Sequence, residues 1–320
     1  MDRFNVQYAG PYTPRPRYAA MPGEPLTVIV NREGGAASAA GDGLPDRIVE
    51  AFAAANVVVN VLLLTGSKIA PAIEAAARTE DRIVIAGGDG TAATAAQALI
   101  GTNTELALLP LGTLNHLARD LGIPADLEAA AAIAAGGRTV RIDVGEVNGH
   151  CFVNNASIGL YPSMVKQREG LRRRNGWPKW LASAPAAWDA LSRLRHHRLR
   201  VDMGNGNRPL VTPLLFVGNN HYSLRAGSIG ERASLQGGKL SVYAVAGGRR
   251  MQLIGFALRA LIGRIHPRTD FVALGKCETM VVRAHSRPIE IALDGEINEL
   301  STPLLFRTLA QALAILVPDG

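Results

Sequence analysis

The sequence predicts an α/β N-terminal domain with a mostly parallel sheet, followed by a β-rich, sandwich-like C-terminal domain. Up to Arg138, short apolar runs alternate with segments of helical character, which is the pattern of parallel α/β folds. After Arg138, strand-like runs broken by Gly, Asn and Pro follow one another instead. The chain has 320 residues, of which 48% are hydrophobic, and this is enough for two domains that each have a core.

The first domain is predicted to span residues 24–138, and the C-terminal segment 304–320 is expected to return to it. Helices are predicted after the second, third and fourth strands, and the last of them stops at Gly122 because Pro124 lies just beyond. Residues 1–23 are rich in Pro, Arg and Tyr and are expected to form a flexible tail, in which Met21 is an alternative start to Met1. The four predicted strands are residues 26–30, 57–64, 82–86 and 105–112.

The second domain is predicted to span residues 139–303. Two helical stretches, 177–197 and 250–264, interrupt its strands, and a basic insertion covers residues 166–200. The strand-like runs are TVRIDVGEVNG, HCFVNNASIGL, LLFVGNN, KLSVYAVAGG, CETMVVRA and PIEIALDGEINEL.

Composition limits the setting in which the protein works. The two cysteines, Cys151 and Cys277, form neither a disulfide framework nor a zinc-ligand spacing, so a reducing compartment is expected. No apolar run approaches the ~20 residues of a membrane-spanning helix. The net charge of +7 is concentrated in segment 166–200, which holds ten Lys/Arg and two acids. This basicity therefore belongs to one surface of the molecule.

The stretch GGDGT places three glycines and an aspartate directly after the third predicted strand. Ligands of open parallel sheets bind beyond the carboxyl ends of the strands, where backbone N–H groups and helix N-termini attract phosphate. Gly87, Gly88 and Gly90 allow a sharp turn and a close approach to a phosphate. Thr91 could donate its hydroxyl and Asp89 could orient a ribose hydroxyl or a metal-bound water, while the alternative is that either residue only caps the helix.

A second turn of the same design follows the fourth strand. Gly112, Thr113 and Asn115 again lie between a strand and a helix, and capping is again the alternative role for Thr113 and Asn115. Two adjacent turns make a better nucleotide site than one. Neither turn has the Gly-Lys-Ser/Thr of a Walker loop or the GxGxxG of a dinucleotide fold.

The run IEIALDGEINEL alternates apolar and polar residues around Asp294-Gly295, and this spacing favours a hairpin turn. A hairpin tip can still present a carboxylate. Asp294, with Glu296 close by, would suit a general base for a hydroxyl nucleophile.

With these elements in this order, the chain resembles the diacylglycerol kinase and sphingosine kinase superfamily of lipid kinases, especially its soluble bacterial members. The resemblance runs from about residue 26 to the C-terminus. The matching stretches are TVIVN, Thr65-Gly66, GGDGT, LPLGTLNHLARDLGIP, FVNNASIGL and LDGE.

The resemblance implies a nucleotide-binding α/β domain and a lipid-substrate domain with the active site between them. It also implies ATP and Mg²⁺ as cofactors, with transfer of the γ-phosphoryl group to a lipid hydroxyl, most simply a diacylglycerol-like lipid. By position, Asp294 would be the general base. The nucleotide-binding residues would be Asn31, Thr65, Gly87, Gly88, Asp89, Gly90, Thr91 and Thr113, together with Gly112 and Asn115 of the second turn.

Several positions depart from the family pattern. Ala92-Ala93-Thr94 stands where Leu-Asn-Glu is common, which removes a carboxylate near the nucleotide. His116 stands where Asp is frequent, and Gly237 stands where many relatives carry a metal-binding Asp. The metal ligands therefore cannot be assigned from the sequence, and a structural magnesium in the second domain is in doubt.

Trp177, Trp180 and Trp188 all lie within the basic insertion, where Pro185 is predicted to divide two helices. Trp favours the membrane interface and Lys/Arg are attracted to anionic leaflets, so this segment is expected to dock peripherally on an anionic membrane surface. The alternatives are an ordinary amphipathic helix and, with less support, a nucleic-acid surface. The residues expected at the membrane are Trp177, Trp180, Arg172, Arg173 and Arg174.

The leading prediction is an ATP-dependent lipid kinase that is cytoplasmic and peripherally membrane-associated. Its expected partners are a lipid substrate and an anionic membrane, without nucleic acid, and a homodimer is a further expectation. The alternatives are a kinase of a soluble substrate, as in NAD kinases, and a non-catalytic nucleotide- or lipid-binding module.

Overall fold

The structure is a computed structural model. It describes residues 25–33, 43–159, 196–221, 232, 234–245, 271–285 and 288–319. The chain divides into two compact units, and the division falls within two long strands. The first unit comprises Met1–Val144 and Ala310–Gly320, and the second comprises Gly145–Leu309.

The first unit contains a parallel sheet in the order β2-β1-β3-β4, to which the C-terminal part of β16 adds a fifth parallel strand through Ile315 and Leu106. Helices α1 to α5 and a short 3₁₀ turn (Gly66–Lys68) connect these strands. The strands are β1 (Leu26–Asn31), β2 (Val59–Leu64), β3 (Arg82–Gly87), β4 (Glu105–Pro110) and β16 (Leu304–Val317). The helices are α1 (Leu44–Ala54), α2 (Ile69–Ala76), α3 (Asp89–Leu99), α4 (His116–Asp120) and α5 (Leu127–Gly136).

The apolar pattern explains this arrangement. All six residues of β3 are buried, as expected for a central parallel strand whose two faces are both covered. In α1, the buried residues Leu44, Ile48, Ala51 and Phe52 recur at helical spacing and form one apolar face, and a proline lies in the first turn. The buried Arg82 guanidinium is paired with Glu105 at 2.8 Å, which satisfies the one charge within β3.

The second unit is built from antiparallel strands. Six of them form a sheet in the order β12-β11-β10-β7-β14-β15. A further antiparallel set runs β16-β13-β8-β9, and β5 pairs with β6. These strands are β5 (Arg138–Val147), β6 (His150–Phe152), β7 (Asn155–Gly159), β8 (His197–Asp202), β9 (Arg208–Thr212), β10 (Leu214–Asn219), β11 (Leu240–Val245), β12 (Phe271–Cys277), β13 (Thr279–Ala284), β14 (Ile289–Leu293) and β15 (Glu296–Leu300).

One apolar core lies between the two sets of strands in the second unit. Val217 and Ile291 come from the six-stranded sheet, and Met280 and Phe306 come from the other set. The rings of Phe152 and Phe306 meet edge to face, with centroids 6.5 Å apart. Two antiparallel layers over a shared core make this unit sandwich-like.

The predicted fold class, an α/β domain followed by a β-rich domain, is confirmed. The predicted helix 177–197 is wrong at its C-terminal end, because His197 begins strand β8. Buried Leu199 and Val201 alternate there with exposed Arg198 and Arg200, which is the two-residue period of a strand. The tail 1–23, residues 177–195 of the predicted helix and the second predicted helix 250–264 lie outside the described residues.

Candidate active site

The carboxyl ends of four parallel strands bring the predicted nucleotide residues to one edge of the first unit's sheet. Asn31 is the last residue of β1 and lies beside Leu64 of β2, directly before Thr65. Gly87 is the last residue of β3 and lies beside Pro110 of β4, shortly before Gly112. This is the edge at which open parallel sheets bind their ligands.

The two glycine turns touch each other through their backbones. A Cβ atom at Gly112 would lie 2.5 Å from the Cα of Gly88, and one at Gly88 would lie 3.1 Å from the Cα of Gly112. A Cβ atom at Gly87 would lie 2.6 Å from Thr91 Oγ1. Glycine at positions 88 and 112 therefore lets the two turns close against one another, and glycine at position 87 leaves room for the Thr91 side chain of its own turn.

Helix α3 begins in this contact and has no side-chain cap, because its N-cap residue is Gly88. The amides of the first helical turn, at Asp89, Gly90 and Thr91, have no partner within the helix itself. The Thr91 hydroxyl does not cap the helix, since it accepts a hydrogen bond from Asn31 Nδ2 at 2.9 Å. The N-terminus of α3 thus presents N–H groups and the positive end of a helix dipole at the sheet edge, which suits a phosphate.

The Asp89 carboxylate links the two turns. Its Oδ1 accepts a hydrogen bond from the backbone N–H of Leu117 at 3.3 Å, so Asp89 caps α4 rather than its own helix. Its Oδ2 makes no hydrogen bond within the described part of the chain. The sequence offered capping as the alternative role for Asp89, but the helix that it caps belongs to the other turn.

The second turn is closed by its own side chain. Asn115 adopts a left-handed backbone with φ 48°. Its Oδ1 accepts from the Gly112 N–H at 2.9 Å, and its Nδ2 donates to the carbonyls of Gly112 at 2.9 Å and Pro110 at 3.2 Å. The side chain of Asn115 therefore shapes the turn.

The two remaining predicted nucleotide-binding residues lie at the surface of the first unit. Thr65 and Thr113 are exposed, and Leu114 beside Thr113 is 59% exposed. A cavity of about 10 Å³ lies beneath the turns and has room for about one water. A nucleotide at this edge would therefore lie on top of the turns, where these residues can reach it.

In the second unit, Asp294 occupies the predicted hairpin. Asp294 and Gly295 have φ values of 48° and 93° and form the two-residue turn between β14 and β15, which confirms the hairpin. The left-handed conformation turns the aspartate back onto the chain, where its N–H donates to Asn155 O at 2.9 Å.

Three consecutive backbone amides hold the Asp294 carboxylate. Oδ2 accepts from the Val153 N–H at 2.7 Å, and Oδ1 accepts from the N–H groups of Asn154 at 2.8 Å and Asn155 at 2.9 Å. We call residues 153–155 the amide corner. Burial raises the pKa of the Asp294 carboxyl to about 6, while the three amide donors and the charge of Arg232 act in the opposite direction. The carboxylate is ionised at neutral pH and has a pKa suited to accepting a proton.

The roles of the amide corner and Arg232 were not predicted from the sequence. FVNNASIGL was recognised only as a matching stretch, and no spacing rule places residues 153–155 around a carboxylate about 140 residues later. Arg232 is a single residue in a segment without regular periodicity. Its contact with the corner arises from tertiary structure alone.

Gly237 has a defined contact in the second unit. Its N–H donates to Asn220 Oδ1 at 2.8 Å, and a Cβ atom at this position would lie 3.0 Å from the same oxygen. Among the described residues, no group of three or more His, Cys, Asp or Glu side chains could hold a metal ion. The described part of the second unit therefore does not supply a carboxylate cage for a structural magnesium.

The residues expected to dock on a membrane, Trp177, Trp180 and Arg172 to Arg174, lie outside the described residues. Within the described ranges, no helix is both long enough and apolar enough to cross a bilayer.

The fold of this chain is similar to that of a solved structure. A crystal structure described as a diacylglycerol kinase from Bacillus anthracis str. Sterne matches 92% of this chain and 97% of its own, with a TM-score of 0.66 and 20% sequence identity. Residues 25–147 match the diacylglycerol kinase catalytic domain family. The N-terminal part of the chain, residues 25–147, is therefore similar to the catalytic domain of diacylglycerol kinases.

Two curated relatives are named probable lipid kinase YegS-like. The protein from Pseudomonas aeruginosa is 51% identical over 90 residues, which are 27% of this chain and 29% of that protein. The protein from Cronobacter sakazakii is 36% identical over 124 residues, which are 37% of this chain and 42% of that protein. The matched part of the chain thus spans less than half the length of these relatives.

Proposed function

We propose that this protein is an ATP-dependent lipid kinase that transfers the γ-phosphoryl group to the hydroxyl of a diacylglycerol-like lipid. The match to a diacylglycerol kinase catalytic domain supports the transfer chemistry, and relatives named as probable lipid kinases support a lipid acceptor. The observation that carries the proposal is the Asp294 carboxylate, which three amides hold and whose pKa burial raises to about 6.

The first unit supplies the nucleotide part of the proposal. The N-terminus of α3 offers backbone N–H groups to the phosphates, and the contact between Gly88 and Gly112 keeps side chains away from them. Thr65 and Thr113 are exposed at the same edge and can donate hydroxyl hydrogen bonds to the nucleotide. The hydrogen bond from Asn31 to Thr91 fixes the start of α3 relative to β1.

The reaction needs little covalent chemistry from the protein. It needs in-line positioning, neutralisation of phosphate charge and a group that accepts the hydroxyl proton. The lipid oxygen forms a bond to the γ-phosphorus as the bond to the β–γ bridging oxygen breaks and ADP leaves. Asp294 accepts the hydroxyl proton, for which it must be ionised, and burial sets its pKa at about 6, below neutral pH.

A divalent cation fits this arrangement. Mg²⁺ commonly binds through one or two carboxylates together with substrate phosphates, so a dedicated protein cage is not required. Asp89 lies at the N-terminus of α3, and one of its oxygens is engaged by the Leu117 N–H. We assign its other oxygen, directly or through water, as the protein's contact to Mg²⁺. When bound, the ion would neutralise charge on the phosphates.

The test is a transfer assay with ATP labelled at the γ-phosphate, using a lipid panel and NAD as acceptors. The panel contains diacylglycerol, monoacylglycerol and a long-chain amino alcohol in mixed micelles. We expect label in diacylglycerol or in another single-hydroxyl lipid. Label in NAD alone would indicate a kinase of a soluble acceptor. No transfer despite measurable ATP binding would indicate a non-catalytic module.

A further inference from the structure

The guanidinium of Arg232 donates hydrogen bonds to oxygen atoms of the amide corner, whereas Asp294 accepts from its N–H groups. Its Nη1 donates to the carbonyl oxygen of Val153, and its Nη2 donates to Asn154 Oδ1 at 2.9 Å. Asn219 Nδ2 donates to the same Val153 carbonyl at 3.0 Å. Arginine makes such two-pronged contacts because its donors form a rigid planar fork.

A single peptide group connects Arg232 to Asp294. The peptide that joins Val153 to Asn154 presents its carbonyl to Arg232 and its N–H to Asp294 Oδ1. A cation at the carbonyl end polarises the peptide and strengthens its N–H as a donor. The positive charge of Arg232 therefore acts on the carboxylate through the bond that also fixes its orientation.

We propose that Arg232 is a positioning residue for the proposed phosphoryl transfer: it locks the amide corner in the conformation that holds Asp294 and keeps that carboxylate ionised. This inference rests on the proposed role of Asp294 as the proton acceptor. The charge of Arg232 lowers the pKa of Asp294 against the larger, opposite effect of burial.

The other charged and titratable groups near Asp294 can be identified. The Cys151 thiol lies close enough to interact with Asp294, but burial raises its pKa to about 12, so it stays protonated near neutral pH. Glu146, which also acts on Cys151, is paired with Arg307 at 2.6 Å. Glu296 follows on the same hairpin. Among these groups, Arg232 is the one whose charge bears on the pKa of Asp294.

The test compares the pH profiles of kcat/KM for the wild type, Arg232→Gln and Arg232→Lys. For the wild type we expect an acid limb near pH 6, since burial raises the pKa of Asp294 to about 6. Loss of the charge in Arg232→Gln should move this limb to higher pH, because the charge of Arg232 lowers the pKa of Asp294. The loss of rate should then be greatest at and below pH 6 and nearly absent at pH 8.

Arg232→Lys keeps the charge but not the fork, so its acid limb should stay near that of the wild type while kcat falls at every pH. Arg208→Gln is the matched control, because Arg208 is an exposed arginine of β9 in the same unit and should leave the profile unchanged. A uniform loss of rate in Arg232→Gln, with the limb in place, would show a merely structural role and overturn the inference.

A second measurement does not depend on activity. The ¹³C-carboxyl resonance of Asp294, assigned by comparison with Asp294→Asn, is titrated in the wild type and in both Arg232 variants. A higher midpoint in Arg232→Gln supports the inference, and equal midpoints refute it. Wild-type protein that transfers no phosphate to any acceptor would refute the proposed function and leave this titration as the test of Arg232. If Arg232→Gln does not fold, Arg232→Met, which also removes the charge, takes its place in the titration, and a midpoint equal to that of the wild type refutes the inference.

Discussion

At the scale of single residues, Gly88 and Gly112 decide whether the two turns of the first unit can meet. The sequence indicated that GGDGT and the turn at Gly112 need glycine for sharp turns near a phosphate. It could not indicate that Gly88 and Gly112 also need glycine for each other, because that contact joins two turns that are distant in the sequence.

The contact predicts the effect of Gly112→Ala. The added methyl would lie 2.5 Å from both Gly88 Cα and Asn115 Oδ1, so we expect about 1–3 kcal/mol of destabilisation. The affinity for ATP should also fall, because the turns would be forced apart. Gly136→Ala is the control, since a Cβ there meets nothing within 4 Å in helix α5, and stability should be unchanged or slightly higher. Urea denaturation and calorimetric ATP binding would measure both. Equal effects of the two variants would contradict the steric account.

For Asp294, the sequence predicted the turn but not the partners of the carboxylate. Apolar alternation around Asp-Gly was enough to predict the turn, and the structure has it. The partners of the carboxylate are residues 153–155. They could not be predicted from the sequence, because their position depends on the pairing of β7 with β14.

At the scale of elements, helices α3 and α4 share one carboxylate. Asp89 begins α3 but caps α4, whereas Asp126 caps its own helix α5 by accepting from the Ala129 N–H at 2.9 Å. Local sequence rules identify a cap such as Asp126, because donor and acceptor lie three residues apart. They cannot identify Asp89 as the cap of α4, because its partner lies 28 residues away.

Because Asp89 caps another helix and Asp126 caps its own, alanine substitutions at the two positions should have different effects. Asp126→Ala and Asp89→Ala should each lower the free energy of unfolding by about 1 kcal/mol, since each removes one cap. Only Asp89→Ala should also weaken ATP binding, by roughly tenfold, because it frees the second turn from the first and removes the proposed contact to Mg²⁺. Urea denaturation and ATP titration of both variants provide the measurement. A matching loss of ATP affinity in Asp126→Ala would argue against a specific role for Asp89.

The strands that are apolar and buried were predicted correctly, whereas a strand that carries exposed arginines was not. Strands β1, β3 and β4 are apolar and buried, so their runs were visible. The first four residues of β8, 197–200, fell within the predicted basic insertion 166–200, because two residues of this strand are exposed arginines and only Leu199 and Val201 are buried. Alternation over such a short stretch is a weak signal beside a strong excess of charge.

At the scale of the whole molecule, the sequence predicted an α/β unit and a β unit, because strands alternate with helices up to Arg138 and strands follow one another after it. The structure has both units. The sequence also indicated that the net charge of +7 is concentrated in segment 166–200, for which we propose peripheral docking on anionic membranes. A lipid kinase must reach a substrate that is held in a bilayer. The docking proposal therefore belongs with the proposed function.

Vesicle co-sedimentation tests this docking. Wild-type protein should sediment with vesicles that contain phosphatidylglycerol and much less with pure phosphatidylcholine. Trp177→Ala combined with Trp180→Ala should weaken binding to the anionic vesicles, and so should the change of Arg172, Arg173 and Arg174 to Gln. Undiminished binding by both variants would place the membrane contact elsewhere. Light scattering on the protein without vesicles would test the expected homodimer.

The central claim is that Asp294 accepts the proton of the lipid hydroxyl, and Asp294→Asn tests it most directly. Asparagine keeps the shape but cannot take the proton, and it leaves one donor of the amide corner without an acceptor. The control is Glu299→Gln, which removes an exposed carboxylate from β15 of the same hairpin. We predict that Asp294→Asn binds ATP within about twofold of the wild type and loses ~10²–10⁴ in kcat, while Glu299→Gln keeps both. Normal turnover by Asp294→Asn would contradict the account.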